Sequence, residues 1–190
     1  MTLPLTLASA SPRRHELLGE AGIPYTAVTA SVEEKAPTSA DPHWVARENA
    51  QAKARAVAGE LVLGADTVVA LGTEGVGELL GKPSDESDAR RMLAALSGST
   101  HRVVTGHCLR RGIEEEVRTV ETLVRMRKIL PEEIDAYIAS REGFGKAGGY
   151  AIQDTAERFV LSVDGPLDNV IGLSVETVRE MLTNMTRETY

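Results

Sequence analysis

A nearly continuous apolar run from Leu61 to Val69 limits the fold of this chain more than any other feature. Such a run is typical of a β-strand that is covered on both faces. Aromatic residues make up only 4% of the chain, so Val, Leu, Ile and Ala must fill the core, which favours an α/β architecture. Asp66 interrupts the run, and a carboxylate in that position is costly to bury unless it is paired, hydrogen-bonded or bound to metal.

Helix and strand signals surround this run in a mixed order. Helices are predicted to start at Ser11-Pro12 and at Asp41-Pro42, where a capping residue precedes a first-turn proline, and to close at Gly22 and Gly59. Periodicity and turn residues predict further helices at 84–98, 131–140 and from 174, and strands at 3–8, 101–109, 117–126, 150–153 and 159–163. This order predicts one domain of 190 residues, or two lobes sharing one sheet, with mixed α/β topology and antiparallel pairing in its middle.

Composition excludes several classes of function. The formal net charge of -7 argues against a general nucleic-acid binder. No stretch approaches the roughly 18 apolar residues needed to span a bilayer, so no membrane partner is expected. Cys108 is the only cysteine and the start of the chain lacks a signal-peptide pattern, which predicts a cytoplasmic protein without an intramolecular disulfide. The four histidines lack HExxH spacing and are interpreted as surface or structural residues.

The segment from Ala8 to Arg14 is a candidate phosphate cradle. Its small residues, including Ser9, let the backbone approach a ligand, and a helix begins at once, so main-chain amides attract anions. Arg13 and Arg14 add charge and forked donors that suit phosphate oxygens. The alternative is a capped helix with two solvated arginines.

Two further positions suggest catalysis. Asp66, followed by Thr67, is expected to emerge at a sheet edge where ligands collect, and to activate water as general base or through a metal. The alternative is a structural aspartate at the strand end. Lys53 shares a helix face with Ala46, Asn49 and Ala50, whose sizes leave room for an anion, although a lysine that snorkels at the edge of the buried face would show the same pattern.

Weaker signals complete a hypothesis for phosphoanhydride cleavage. Five cations could surround three phosphates: Arg13, Arg14, Lys53, Lys82 and Lys146. Glu33, Glu34 and Asp66 could supply hard oxygen ligands for Mg²⁺ or Mn²⁺, and the sequence leaves the division of roles among them open. Neither a Walker A motif nor a Rossmann fingerprint occurs, which excludes a P-loop enzyme.

An ordered set of motifs covering nearly the whole chain resembles the Maf family. The opening stretch Leu7-Ala8-Ser9-Ala10-Ser11-Pro12-Arg13-Arg14 carries the resemblance first. It continues through Glu33-Glu34, Ala52-Lys53-Ala54, Gly64-Ala65-Asp66-Thr67-Val68-Val69, Gly81-Lys82-Pro83, Leu96-Ser97-Gly98-Ser99-Thr100-His101, Lys146-Ala147-Gly148-Gly149-Tyr150-Ala151-Ile152-Gln153 and Asn169-Val170-Ile171-Gly172-Leu173.

The resemblance implies a two-lobed α/β fold, related to that of inosine triphosphate pyrophosphatases, with a long twisted mixed sheet, flanking helices and a central cleft. It implies a homodimer that hydrolyses a nucleoside triphosphate between its α- and β-phosphates with a divalent metal. Asp66 would accept the proton, and Glu34 and Asp66 would hold the metal. The other implied roles are phosphate or metal contact for Ser9, Arg14, Glu34, Lys53 and Lys82, and base choice for Arg13, Thr67 and Gln153.

The segment 146–153 is similar to the Maf subgroup that acts on dTTP and UTP. A glutamine amide offers a donor and an acceptor to the edge of a pyrimidine, which gives Gln153 a physical rationale. The competing hypotheses are the same chemistry on a modified purine nucleotide such as 7-methyl-GTP, or a nucleotide-binding regulator of septum formation. Ser174 stands where the family usually has proline and Asp154 where it often has glycine; the last helix is still expected to start at Ser174.

Overall fold

The longest apolar run forms the central strand of one large sheet in the computed structural model, which describes residues 4–36 and 39–186. Over those residues the chain has eight β-strands: β1 Leu5–Ala8, β2 Tyr25–Val28, β3 Ser39–Ala40, β4 Leu61–Leu71, β5 Gly77–Leu80, β6 Thr100–Arg111, β7 Glu114–Met126 and β8 Val160–Asp164. The same residues form six α-helices: α1 Pro12–Glu20, α2 Pro42–Ala56, α3 Glu86–Leu96, α4 Pro131–Ser140, α5 Leu167–Ile171 and α6 Val175–Thr186. None of the described helices is both long and apolar enough to cross a membrane.

The sheet is mixed, as expected. Its main path runs β2-β1-β4-β6-β7-β8, with β5 also on β4 and β3 on β5. Strand β1 is parallel to both β2 and β4, whereas every other pairing is antiparallel. The predicted antiparallel middle is therefore confirmed, and it consists of the long strands β4, β6 and β7.

One edge of β4 has a gap that creates the cleft. Strand β6 follows β4 along its whole length, from Leu61 to Leu71. Strands β1 and β5 must therefore share the other edge, and they pair with it only up to Leu63 and again at Val69 and Ala70. The segment 64–68 has no strand partner on that edge within the described residues. The sheet consequently carries two lobes, and the gap between them is centred on Asp66.

The two faces of the sheet are covered differently. On one face α2 packs against alternate residues of β4, including Val62 and Val68. Buried side chains of α1, α3, α4, α5 and α6 cover the other face, together with Leu63, Ala65 and Val69. The β4 run is thus covered on both faces, as its composition predicted.

Two glycines let α2 lie directly on the sheet. A Cβ added at Gly64 would lie 2.2 Å from the Ala50 carbonyl oxygen, and one at Gly106 would lie 2.3 Å from the Ala46 carbonyl oxygen. Gly106 is also the cross-strand partner of Asp66. Because no side chain separates helix from sheet beside Asp66, residues on this face of α2 reach the carboxylate.

The predicted strand at 150–153 is wrong. Gly148 and Gly149 have positive φ angles, and residues 152–154 form a turn. The amide of Ala151 donates to the Tyr137 hydroxyl at 3.0 Å rather than to a neighbouring strand. Helix α2 also ends earlier than expected, because Val57 is already extended. Position 3 of the predicted first strand lies outside the described residues, and β2, β3, β5 and α5 were not predicted.

Candidate active site

A cleft of about 820 Å³ opens at the gap in β4. Ten of the eleven side chains that the sequence analysis selected line it: Ser9, Arg13, Arg14, Glu34, Lys53, Asp66, Thr67, Lys82, Lys146 and Gln153. Glu33 is exposed and is not among the lining residues. Strand β1 ends at Ala8, so the start of α1 borders the gap from one side.

Arg14 is buried and held by three hydrogen bonds. Its Nε donates to the Gly172 carbonyl oxygen at 2.8 Å, its Nη1 to Ser9 Oγ at 3.2 Å and its Nη2 to Thr67 Oγ1 at 3.1 Å. Burial lowers the pKa of this guanidinium, and the charge of Asp66 opposes the shift. The alternative of two solvated arginines is therefore wrong for Arg14, which lies in a preformed position with no carboxylate bonded to it.

Arg13 also faces the cleft. Burial lowers the pKa of its guanidinium, and the main opposing charge is that of Asp154. Ser11 precedes α1 with an extended backbone, but its side chain makes no capping hydrogen bond; its amide instead donates to Ser9 Oγ at 3.2 Å. The hydroxyl of Ser9 therefore orders the turn that carries both arginines.

Lys53 lies between two carboxylates. Its Nζ is 2.6 Å from Asp66 Oδ1 and 2.8 Å from Glu34 Oε1. The side chains of Lys53 and Asp66 are each only 10% exposed, so a snorkelling lysine is the wrong interpretation. Lys82 Nζ lies 3.5 Å from the other oxygen of Glu34. Burial tends to raise the pKa of Glu34, but the hydrogen bond and charge of Lys53, with those of Lys82, outweigh it and lower that pKa.

Asp66 lies in the middle of its strand, at the stretch of β4 that has no strand partner on one edge. Strand β4 continues to Leu71, and the carboxylate projects from its middle toward α2, where Asn49 Nδ2 donates to Asp66 Oδ2 at 2.9 Å. The ligand-accessible position arises because β1 stops short of Asp66, which a single strand pattern does not reveal. The alternative of a structural aspartate capping the strand end is wrong, because the strand continues past Asp66.

The glycine-rich segment forms the far wall of the cleft. Lys146 Nζ donates to the Glu142 carbonyl oxygen and lies 3.7 Å from Asp154 Oδ2. Gln153 is exposed at the cleft. Thr67, on the opposite sheet face from Asp66, shares a 3.0 Å hydrogen bond with Thr105 Oγ1.

Comparison with known proteins decides the family. The sequence profile described as "Maf-like protein" matches residues 4–185. This chain belongs to the Maf family. A relative named dTTP/UTP pyrophosphatase from Anaeromyxobacter sp. (strain Fw109-5) is 48% identical over 191 residues, covering 96% of this chain and 89% of the relative. Proteins of the same name from Symbiobacterium thermophilum and Akkermansia muciniphila are 43% and 41% identical, covering 94% and 97% of this chain and 92% and 98% of their own lengths.

The donor set of this Maf protein fits a metal shared with substrate. No cluster of three potential ligands drawn from His, Cys, Asp and Glu occurs among the described residues. Glu34 and Asp66 nevertheless converge on one ammonium group. Mg²⁺ is commonly bound by one or two carboxylates plus substrate phosphates, so two carboxylates beside a phosphate-sized cleft suit it.

The two departures from the Maf pattern have local consequences. Ser174 precedes α6 as expected, with its Oγ 3.0 Å from Thr177 Oγ1. Unlike proline, it has an amide, which donates to His107 Nε2 at 3.0 Å. Asp154 places a carboxylate beside Lys146 and Arg13 at the wall that carries Gln153.

The sequence analysis missed one residue that contacts the site. Asn49 was placed on the correct face of α2 but not assigned a role. The only available signal was an amide among small and apolar residues, which does not specify a partner. The buried histidines His101 and His107 are structural, as interpreted, since His101 Nε2 bonds the Tyr150 hydroxyl at 2.8 Å.

Proposed function

We propose that this chain hydrolyses dTTP and UTP to the nucleoside monophosphate and pyrophosphate. The carrying observation is that five cationic and four acidic side chains, Glu34 and Asp66 among the latter, line one cleft of about 820 Å³, which is large enough for a nucleotide. Relatives at 41–48% identity are named dTTP/UTP pyrophosphatases, which supports the same substrate class here.

Charge complementarity accounts for triphosphate binding. The forked donors of Arg14 are pre-positioned at the start of α1, and Lys53, Lys82 and Lys146 project from other walls of the same cleft. These cations stabilise the charge that grows on the leaving pyrophosphate. Asp66 orients the attacking water and accepts its proton when the bond between the α- and β-phosphates breaks.

Glu34 and Asp66 are the residues that would hold Mg²⁺ or Mn²⁺. Such an ion supplies further neutralisation of phosphate oxygens and favours ionisation of water. Lys53 contacts both carboxylates at 2.8 Å and 2.6 Å. It thus keeps the two groups together and offers its own charge to the phosphates.

Base choice is assigned to Gln153 on the glycine-rich wall of the cleft, together with Arg13 and Thr67. Gln153 presents a donor and an acceptor to a pyrimidine edge, and Arg13 and Thr67 line the same cleft. We further propose a homodimer, after the family resemblance. The single cysteine, Cys108, and the acidic net charge suit a cytoplasmic enzyme acting on free nucleotides rather than on nucleic acid.

A substrate panel tests this function. The purified chain is incubated with dTTP, UTP, CTP and 7-methyl-GTP plus Mg²⁺ or Mn²⁺, and both products are quantified. Monophosphate and pyrophosphate from dTTP and UTP are expected. Preference for 7-methyl-GTP would favour the purine alternative. Tight triphosphate binding without turnover would favour a regulatory nucleotide binder, and diphosphate plus orthophosphate would contradict the assigned bond cleavage.

A further inference from the structure

One buried side-chain amide on α2 bonds both Asp66 and the main chain of Lys35, the residue after Glu34. Asn49 is 3% exposed. Its Nδ2 donates to Asp66 Oδ2 and to the Lys35 carbonyl oxygen, both at 2.9 Å, and its Oδ1 accepts from the Lys35 amide at 2.8 Å. Both donor hydrogens and the acceptor of the side chain are thus used.

The other contacts of the segment that carries Glu34 are side-chain ion pairs, of Glu34 with Lys53 and Lys82 and of Lys35 with Glu48. Residues 29–36 form neither helix nor strand. The Lys35 side chain pairs with Glu48 at 2.7 Å, but this ion pair is solvent-exposed, and pairs of that kind contribute little. The two hydrogen bonds between Asn49 and the main-chain groups of Lys35 are partly buried and fix the backbone directly next to Glu34 in the chain.

We infer that Asn49 is a positioning residue that sets the distance between Glu34 and Asp66. This inference rests on the proposed function, because it concerns the two carboxylates assigned to metal and water. The Asn49 side chain hydrogen-bonds the main chain of the segment that carries Glu34, and it hydrogen-bonds the carboxylate of Asp66. One side chain thus holds both carboxylate-bearing parts in place on either side of Lys53. The position of α2 relative to the sheet is set by its direct backbone packing on Gly64 and Gly106.

Only an amide of this length satisfies all three contacts. Aspartate lacks the donors for Asp66 and for the Lys35 carbonyl oxygen, and leucine has the shape but no polar atom. The Asn49→Leu variant therefore removes these hydrogen bonds while filling the same space. Asn49→Ala serves as a second variant if the leucine variant folds poorly.

The test combines kinetics with hydrogen exchange on the full chain. Loss of such an orienting partner is expected to lower kcat/KM for dTTP by about 10- to 100-fold. The Lys35 amide, freed from Asn49 Oδ1, is expected to exchange at least about tenfold faster, which corresponds to losing one ordinary hydrogen bond. Gln51→Leu is the matched control, because Gln51 is a partly buried amide on the same helix that bonds Glu115 at 3.1 Å, away from the cleft.

A double-mutant comparison separates positioning from general stability. In a Glu34→Gln background the cost of Asn49→Leu should shrink by at least about fivefold, because the two residues act together. Fully additive losses, native kcat/KM in Asn49→Leu, or unchanged exchange at Lys35 would each overturn the inference. Absence of dTTP and UTP hydrolysis by the native chain would instead contradict the proposed function. The exchange measurement would still test the hydrogen bond between the Lys35 amide and Asn49.

Discussion

Lys53 illustrates how single residues create the chemistry of this cleft. An ammonium group that is 10% exposed is costly to bury alone, but here it has two carboxylate partners within 2.8 Å. The same contacts keep Glu34 ionised by lowering its pKa. Removing one member leaves the others with imperfect pairing, so the proposed catalysis and local stability are linked at this site.

Asp66→Asn is expected to fold and to lose most turnover. An amide cannot accept the proton from water, so kcat should fall by about 10²- to 10⁴-fold. Lys53 and Asn49 both donate to Asp66, and an amide offers an acceptor to only one of them, which predicts a stability loss of about 1–3 kcal/mol. Steady-state kinetics and urea unfolding measure the two effects, and a near-normal rate would show that Asp66 is not the base.

Helix α2 is the element that brings side chains from one face of the sheet to the candidate active site. It carries Asn49 and Lys53, and it reaches Asp66 only because Gly64 and Gly106 leave its backbone against the sheet. These glycines are required by close approach and not by their backbone angles, since neither has a positive φ. The position of Lys53 in the cleft thus depends on the absence of side chains at Gly64 in β4 and Gly106 in β6.

Gly106→Ala is expected to displace α2. The added methyl group would lie 2.3 Å from the Ala46 carbonyl oxygen, and such overpacking costs about 1–3 kcal/mol or more. Chemical unfolding and kcat/KM should both decline. Gly19→Ala in α1 is the control, because nothing lies within 4 Å of its new Cβ and alanine favours helices by about 1 kcal/mol. Equal behaviour of the two variants would refute close packing as the reason for Gly106.

At the scale of the whole molecule, hydrogen bonds between residues far apart in the chain connect the elements around the cleft. Arg14 in α1 bonds Gly172, 158 residues away, and Thr67 of β4. Gly172 belongs to the turn between α5 and α6, and the next residues of that turn reach β6 through the bond from Ser174 to His107. These bonds connect α1, β4, β6 and the turn between α5 and α6 beside the candidate phosphate cradle.

Burial of two histidines predicts acid sensitivity of the entire fold. Desolvation lowers the pKa of His101 to about 4 and that of His107 to about 3, whereas unfolded histidine titrates near 6.5. Below about pH 6.5 the unfolded chain binds more protons than the folded chain does. The free energy of unfolding therefore decreases as the pH decreases, by up to about 1.4 kcal/mol per pH unit for each histidine. The loss continues until pH drops through the folded pKa values.

Urea unfolding between pH 7 and pH 5 measures this effect, because most carboxylates stay ionised in that window. His107→Gln, which removes one titrating group and keeps an acceptor for Ser174, should show a shallower pH dependence than the native chain. An identical slope would contradict the assignment to buried histidine.

Local patterns predicted most elements because their signals are short-range. The cap before α2, the apolar periodicity of α3 and the strand signals of β6 and β7 depend on neighbours in sequence. The strand predicted at 150–153 failed because its backbone groups found partners elsewhere, in Tyr137 and in turns. The short strand β2 is mostly exposed, and β3 and β5 are four residues or shorter and are held by pairing with each other and with β4.

The sequence by itself determined which chemical groups this protein has: a buried carboxylate in an apolar strand, arginines at a helix start, and motifs of the Maf family. Tertiary structure alone decided where they meet. The cleft exists because β1 and β5 leave the middle of one edge of β4 unpaired, and α2 reaches it because two glycines allow contact. Strand pairing and helix approach are set by residues far apart in the chain, so no local pattern encodes that geometry.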